Sequence, residues 1–170
     1  KSHMQYSGKK LQYFDPEDNE NYIPYVVETS IGLDRMFLAM MSMALNEEVL
    51  EDGSSRVVMN IPPFLAPYKV AVLPLMKKDG LPEKAREIID KLKLDHLCIY
   101  EEKDAIGKRY RRMDAIGTPY CITVDHQTLE DQTVTIRDRD TMKQERVSID
   151  QLASIVNQKV SMNLQLAKLM

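Results

Sequence analysis

The stretch KVAVLPLMKKDGLPEKAREIIDKLKLDHLCIYEE, residues 69–102, carries the pattern on which the fold turns. KVAVLPL is apolar from Val70 almost without interruption, as a strand covered on both faces must be. Residues 81–95 repeat differently: Ile88, Ile89 and Leu92 fall on one side of a helix, and Pro82 sits in its first turn, where a missing N–H is tolerated. HLCIYEE, from His96, returns to a short strand. Strand, helix, strand in this order implies parallel pairing through a right-handed crossover.

Working outward toward the C-terminus, DAIGKRYRRMDAIG (104–117) reads as a basic helix or loop and PYCITVD (119–125) as a third strand. QTVTIRDRD (132–140) alternates as a half-buried strand does, ERVSI adds a short strand, and a closing helix is expected over about Asp150 to Met162, with SIDQLASIV supplying a cap. The expected domain is an α/β sandwich with a small mixed, mainly parallel sheet flanked by helices, to which the late strands add a hairpin.

Toward the N-terminus, three prolines in NIPPFLAPYK place a domain boundary at about 60–67, with the second domain taken as 63–170. Before it, NEEVLEDGSSR reads as an acidic loop. Residues 5–30 read as a hairpin feeding a strand in YIPYVVE. Leu33, Phe37, Met40, Met41 and Ala44 then recur at helical spacing over about Gly32 to Leu45. SHM at 2–4 resembles an expression-tag remnant, so residues 1–4 are set apart from the fold.

The 170 residues are 44% hydrophobic and 29% charged, the balance of a globular chain, with a net charge of -3 that gives no global attraction to nucleic acid. MFLAMMSMAL is about half the length a membrane span requires. Cys98 and Cys121 sit in strand-like runs and are expected as buried reduced thiols. The histidines and cysteines show no metal-ligand spacing, and no nucleophile elbow, GxGxxG or phosphate loop occurs, so no metal site is expected. The second domain therefore reads as a binding platform.

Two basic groups stand out. KDAIGKRYRR places Lys103, Lys108, Arg109, Arg111 and Arg112 around Tyr110 against the single acid Asp104, a composition that suits an RNA backbone and equally a solvated helix face. In TVTIRDRD, alternation puts Val134 and Ile136 on one side and Thr133, Thr135, Arg137 and Arg139 on the other. The two arginines there suit bases or phosphates, or a salt-bridge ladder. A third cluster, VVETSIGLDRMF (26–37), sets Glu28, Ser30, Gly32 and Arg35 at a strand-to-helix junction. Its spacing suits a small polar ligand and also a plain helix cap with a surface arginine.

YFDPEDNENYIPYVVETSIGLDRMFLAMM resembles the end of the catalytic domain of class II glycyl-tRNA synthetases of the dimeric type, third class-defining motif included. IPPFLAPYKVAVLPL, IGKRYRRMDAIGTPYCITVD and TVTIRDRDTMKQERVSIDQL resemble the class IIa anticodon-binding domain that follows it. The likeness extends over residues 7–160. It implies a catalytic-domain remnant over 5–62 and an anticodon-binding domain over 63–170. It further implies a glycine site at Glu28, Thr29, Ser30, Ile31 and Gly32, with Glu28 facing the ammonium group. ATP contacts are implied at Gly32, Leu33, Asp34 and Arg35. RNA contacts are expected among Lys103, Arg109, Arg112, Arg137 and Arg139. Thr29 stands where class II enzymes often have proline. The implied parent is a cytoplasmic, homodimeric glycine-tRNA ligase that forms glycyl-adenylate with ATP and Mg2+ and reads the tRNA-Gly anticodon. These residues by themselves, lacking the two earlier motifs, are expected to bind no cofactor and to form no adenylate. The alternative is an accessory RNA-binding subunit without ligase activity; retention of Glu28, Ser30, Gly32 and Arg35 favours the enzyme.

Overall fold

A computed structural model describes residues 1–167 and divides the chain into two compact units, Lys1–Met36 and Phe37–Met170. The last three positions of the domain expected over 63–170 lie outside the described residues. In the first unit, α1 (Ser2–Ser7) begins within the expected tag residues, and a hairpin of β1 (Tyr13–Asp15) and β2 (Glu20–Tyr22) follows. Asp15 accepts the Glu17 amide at the turn, Asn19 takes a left-handed φ of 50°, and the Tyr13 and Tyr22 rings meet edge to face at 5.7 Å.

The strand expected in YIPYVVE does not form: residues 23–32 carry no helix or strand. A strand needs a partner for its N–H and C=O groups, and Pro24 has no N–H to offer. Helix α2 (Leu33–Ala44) then begins, close to the expected start, and spans the division between the units.

The second unit starts before the proline-rich junction. β3 (Leu45–Val49) and β4 (Ser55–Met59) form an antiparallel hairpin through NEEVLEDGSSR, the segment expected as a loop. Its acidic composition hid a strand whose alternate residues Arg56 and Val58 are buried. The turn closes with Gly53 at φ 80° and with Asp52 accepting from the Ser54 amide and hydroxyl at 2.9 and 2.6 Å.

Next come β5 (Val70–Pro74), α3 (Leu81–Leu92), β6 (Cys98–Tyr100), α4 (Ile106–Ala115), β7 (Tyr120–Val124), α5 (His126–Asp131), β8 (Thr133–Asp138), β9 (Gln144–Ser148), α6 (Ile149–Val160) and α7 (Met162–Ala167). They build one sheet in the order β6-β5-β7-β8-β9. β6, β5 and β7 run parallel, and β8 and β9 add an antiparallel hairpin, the arrangement expected from the strand-helix alternation. The short helix α5 was not legible from periodicity. A capping box fixes it: Asp125 accepts the Thr128 amide at 3.0 Å and the Thr128 hydroxyl accepts the Asp125 amide at 3.1 Å. The cap expected for the closing helix is in place as Ser148, without a side-chain hydrogen bond.

The two faces of the sheet differ. On one, Val70, Val72, Ile122, Val124, Val134 and Ile136 pack against Leu81, Ala85 and Ile88 of α3 and Leu152 and Val156 of α6. On the other, α4 lays Met113, Ile106 and Tyr110 over Ala71, Leu73 and Cys121, and this apolar cluster takes nothing from β8 or β9. Gly117 closes the α4–β7 turn at φ 82°; a Cβ there would lie 3.1 Å from Ile61 Cδ1 and 3.2 Å from Met59 O, so glycine is required twice over.

Candidate nucleic-acid interface

The five basic residues expected to meet RNA separate sharply. Arg109, Arg137 and Arg139 are 2%, 4% and 2% exposed, whereas Lys103 is exposed and Arg112 half-exposed. The alternation of β8 set Arg137 on the correct side of the strand, but that side is covered by α4, so it does not project into solvent.

Each buried arginine has fixed work. Arg109 donates from one terminal nitrogen to the Pro74 carbonyl and from the other to the Leu75 carbonyl at 3.1 Å, tying α4 to the end of β5. Burial lowers its pKa. Arg137 grips Asp114 of α4 with two parallel bonds of 2.8 and 3.0 Å. Burial opposes the charge on Arg137, yet the Asp114 carboxylate outweighs it and the pKa lies above the ordinary arginine value. Arg139 donates to the carbonyls of Gly117 and Ile61 at 2.8 and 2.9 Å and pairs with Asp140.

A residue outside the expected set completes this cluster. Arg56 of β4 donates to Asp114 at 2.9 Å, to the Arg139 carbonyl at 2.9 Å and to Glu48 at 2.7 Å. Three guanidinium groups, Arg56, Arg137 and Arg139, thus face three carboxylates, Glu48, Asp114 and Asp140. Asp114 is the fully buried carboxylate of the set, and Glu48 and Asp140 meet the buried guanidinium groups from the partly exposed edge, so the buried charges are matched, as burial requires. The cluster clamps the β3–β4 hairpin to α4 and β8. Arg109 and Asp114 occupy positions in the stripe Ile106, Tyr110, Met113 that faces the sheet; that spacing is the sequence signal for their burial.

The accessible basic groups lie along α4 and beside it. Arg112 pairs with Asp104 at 2.9 Å and donates to the Lys103 carbonyl at 2.6 Å, while Lys108 is exposed and Arg111 lies 3.9 Å from Asp114. Between the start of α4 and the β8–β9 turn is an open cleft of roughly 360 Å³, walled by Lys108, Tyr110 and Arg111 on the helix side and by Met142 and Gln144 opposite, with Arg137 at its base. The Arg137 guanidinium lies over the Tyr110 ring, 4.8 Å from its centre, and the Tyr110 hydroxyl is bonded to Thr123 Oγ1 at 2.6 Å.

Beyond the cleft, the β8–β9 half of this sheet face is polar. Thr133, Thr135 and Arg146 are half-buried, and Arg146 holds Asp125 with two bonds of 2.6 and 2.9 Å and Thr133 Oγ1 with a third of 2.6 Å. The Arg146 bonds, the largest influence, lower the Asp125 pKa. Polar groups of known orientation, a flanking aromatic and a basic helix make a surface able to receive unstacked bases and their backbone.

In the first unit, Glu28, Thr29, Ser30, Ile31, Gly32, Leu33, Asp34 and Arg35 are all exposed. Among the described residues, no side-chain hydrogen bond or ion pair engages Glu28, Ser30 or Arg35, so Ser30 does not cap α2. The helix opens instead with the Met36 amide donating to the Gly32 carbonyl at 3.0 Å. Among the described residues no group of three or more His, Cys, Asp or Glu side chains is placed to hold a metal ion, and no helix is long and apolar enough to cross a membrane.

Comparison with known proteins gives three results. The anticodon binding domain family matches residues 69–159, which include the five-stranded sheet and α3 to α6 up to the penultimate residue of α6. The chain is 53% identical over 160 residues to a glycine-tRNA ligase of Clostridium tetani, covering 94% of this chain and 34% of the relative, and 51% identical over 161 residues to that of Geobacillus thermodenitrificans, covering 95% and 34%. It therefore spans about a third of the length of the curated relatives it matches. Among solved structures, the RNA binding domain of threonyl-tRNA synthetase from Cryptosporidium parvum shares the fold at a TM-score of 0.54 and 23% identity, over 59% of this chain and 25% of that one.

Proposed function

The chain belongs to the anticodon binding domain family through residues 69–159, and from that premise we propose that it reads the tRNA-Gly anticodon within a glycine-tRNA ligase. The observation that carries this reading is identity above 50% along 94% of the chain, including the Glu28–Arg35 segment as well as the sheet domain. We place the anticodon on the polar β8–β9 half of the sheet face, next to α4.

The burial pattern sorts the basic residues first expected to touch RNA. Lys103 and Arg112 are retained as backbone contacts, joined by Lys108 and Arg111. Arg109 and Arg139 act from beneath, by holding α4 and the turn after β8 in place. A guanidinium whose donors already satisfy buried carbonyls would have to abandon them to reach a phosphate, at a cost of about 1–3 kcal/mol for each unsatisfied group.

The ligase reaction belongs, in this reading, to the longer protein. It joins glycine and ATP into glycyl-adenylate with release of pyrophosphate and then esterifies the terminal adenosine of the tRNA. Glu28 would hold the glycine ammonium, with Thr29, Ser30 and Ile31 lining the amino-acid side and Gly32 the approach. Leu33, Asp34 and Arg35 would border the nucleotide, with Arg35 on its charged groups. Exposure of this whole segment, and the absence among the described residues of competing ion pairs on Glu28 and Arg35, fit that use. Magnesium would offset phosphate charge when bound; the described residues hold no ligand cluster for it, so none is assigned. A homodimeric, cytoplasmic ligase follows from the same resemblance.

Titration of the chain with a tRNA-Gly anticodon stem-loop tests the reading. The family resemblance implies that cytosines shared by glycine anticodons are the bases read, and replacing one of them is expected to weaken binding by about 1–3 kcal/mol. Equal affinity for both stem-loops would overturn it.

A further inference from the structure

Resting on that reading, we propose that the cleft between the start of α4 and the β8–β9 turn is a seat for one phosphate of the RNA backbone, with Arg137 as its fixed base and Lys108 and Arg111 as its accessible rim. Its lining side chains include three cations and no carboxylate. A phosphate oxygen asks only for donors, whereas a cytosine amino group also needs an acceptor, which among these side chains only the Gln144 amide readily supplies.

Arg137 is built for the purpose. Each terminal nitrogen gives one hydrogen to Asp114, leaving a second hydrogen on each, and the Nε–H, without a protein partner among the described residues. Asp114 on one edge and Tyr110 beneath hold the guanidinium plane, so little side-chain entropy is lost when an anion arrives. Asp114 is also shared with Arg56, so it does not cancel both guanidinium charges. Gly107 leaves the wall low: a Cβ there would meet nothing within 4 Å. The start of α4, a ten-residue helix whose N-cap Ala105 offers no side-chain cap, adds its partial positive charge at that end of the cleft.

A backbone seat carries no sequence information, so base reading falls to the neighbouring threonine-lined face. The test uses the intact chain with Lys108→Gln and Arg111→Gln combined, two rim changes that keep the Arg56–Asp114 and Arg137–Asp114 bonds and remove only the 3.9 Å approach of Arg111 to Asp114. Affinity for the anticodon stem-loop is expected to fall on the order of tenfold, by the same factor for matched and altered anticodons. The slope of log affinity against log salt is expected to become shallower by about 0.7 for the phosphate lost. A loss confined to one base identity, or an unchanged slope, overturns the proposal. A second arm removes dependence on RNA: inorganic phosphate is titrated against chloride at matched ionic strength while the Gly107 amide and Arg111 Nε resonances are followed. Saturable shifts that the double variant lacks are expected, and their absence in the wild-type chain overturns the seat. Should the wild-type chain bind no stem-loop, the anticodon reading fails and the phosphate titration still decides the cleft.

Discussion

Arg139 and Arg111 carry the same side chain on either side of the α4 surface and do opposite things. Arg139 is 2% exposed, with its donors on two main-chain carbonyls and a carboxylate; the Arg111 side chain is 41% exposed, and its nearest carboxylate is 3.9 Å away. The first arginine holds the domain together and the second is available to a ligand. A basic residue type in a nucleic-acid-binding domain therefore says little until its neighbours are known.

The sharpest way to break this contrast is to strip the buried set of its counter-charge. Asp114→Ala leaves Arg56 and Arg137 buried without their shared carboxylate and is expected to cost about 3–5 kcal/mol, measured by denaturant unfolding. A loss under about 1 kcal/mol would mean that the cluster is not the clamp described. Arg139→Ala orphans the carbonyls of Gly117 and Ile61 and is expected to cost about 1–3 kcal/mol in the same measurement, with Arg139→Lys recovering only part, since an ammonium cannot reproduce the planar fork.

The pair Asp125–Arg146 gives a pH-dependent prediction. The carboxyl pKa is lowered in the folded chain, so its contribution is present above the unfolded value, about 4, and is lost as pH falls through the folded value. The pair is partly solvated, and its contribution is accordingly small. Arg146→Gln should flatten the loss of stability below about pH 4, and a carboxyl titration of Asp125 should move upward toward its ordinary value; no change in either would refute the pairing. On the accessible side, Lys103→Ala should alter stability by less than about 0.5 kcal/mol while weakening RNA binding. The smallest effect concerns the thiols. Burial pushes Cys121 to about 12 and Cys98 to about 11, so neither should react with a thiol reagent at pH 8 until the chain unfolds.

Much of the sheet was legible because its signals are local. Val70–Pro74 is apolar throughout, α3 repeats its apolar residues every three or four positions, and a helix with Pro82 in its first turn separates parallel strands. The β3–β4 hairpin was not, since acidic residues on its solvent side outweighed the alternation of Arg56 and Val58. Residues 23–32 misled in the other direction: β-branched and aromatic composition suggested a strand, but composition supplies no partner. For the interface, alternation told which way Arg137 points but not what lies there. That depended on α4 crossing the same face and bringing Asp114 to it, a contact between residues 23 positions apart. The charge on Arg109 suggested a solvent-facing role, but Arg109 and Asp114 share their helical spacing with Ile106 and Met113, which face the sheet.

The division of the arginines is tested most directly by following side-chain Nε resonances of the uniformly labelled chain while the anticodon stem-loop is added. Arg111 and Arg112 are expected to shift progressively to saturation while Arg56, Arg109 and Arg139 stay in place. Movement of Arg109 or Arg139 with Arg111 and Arg112 unchanged would contradict it.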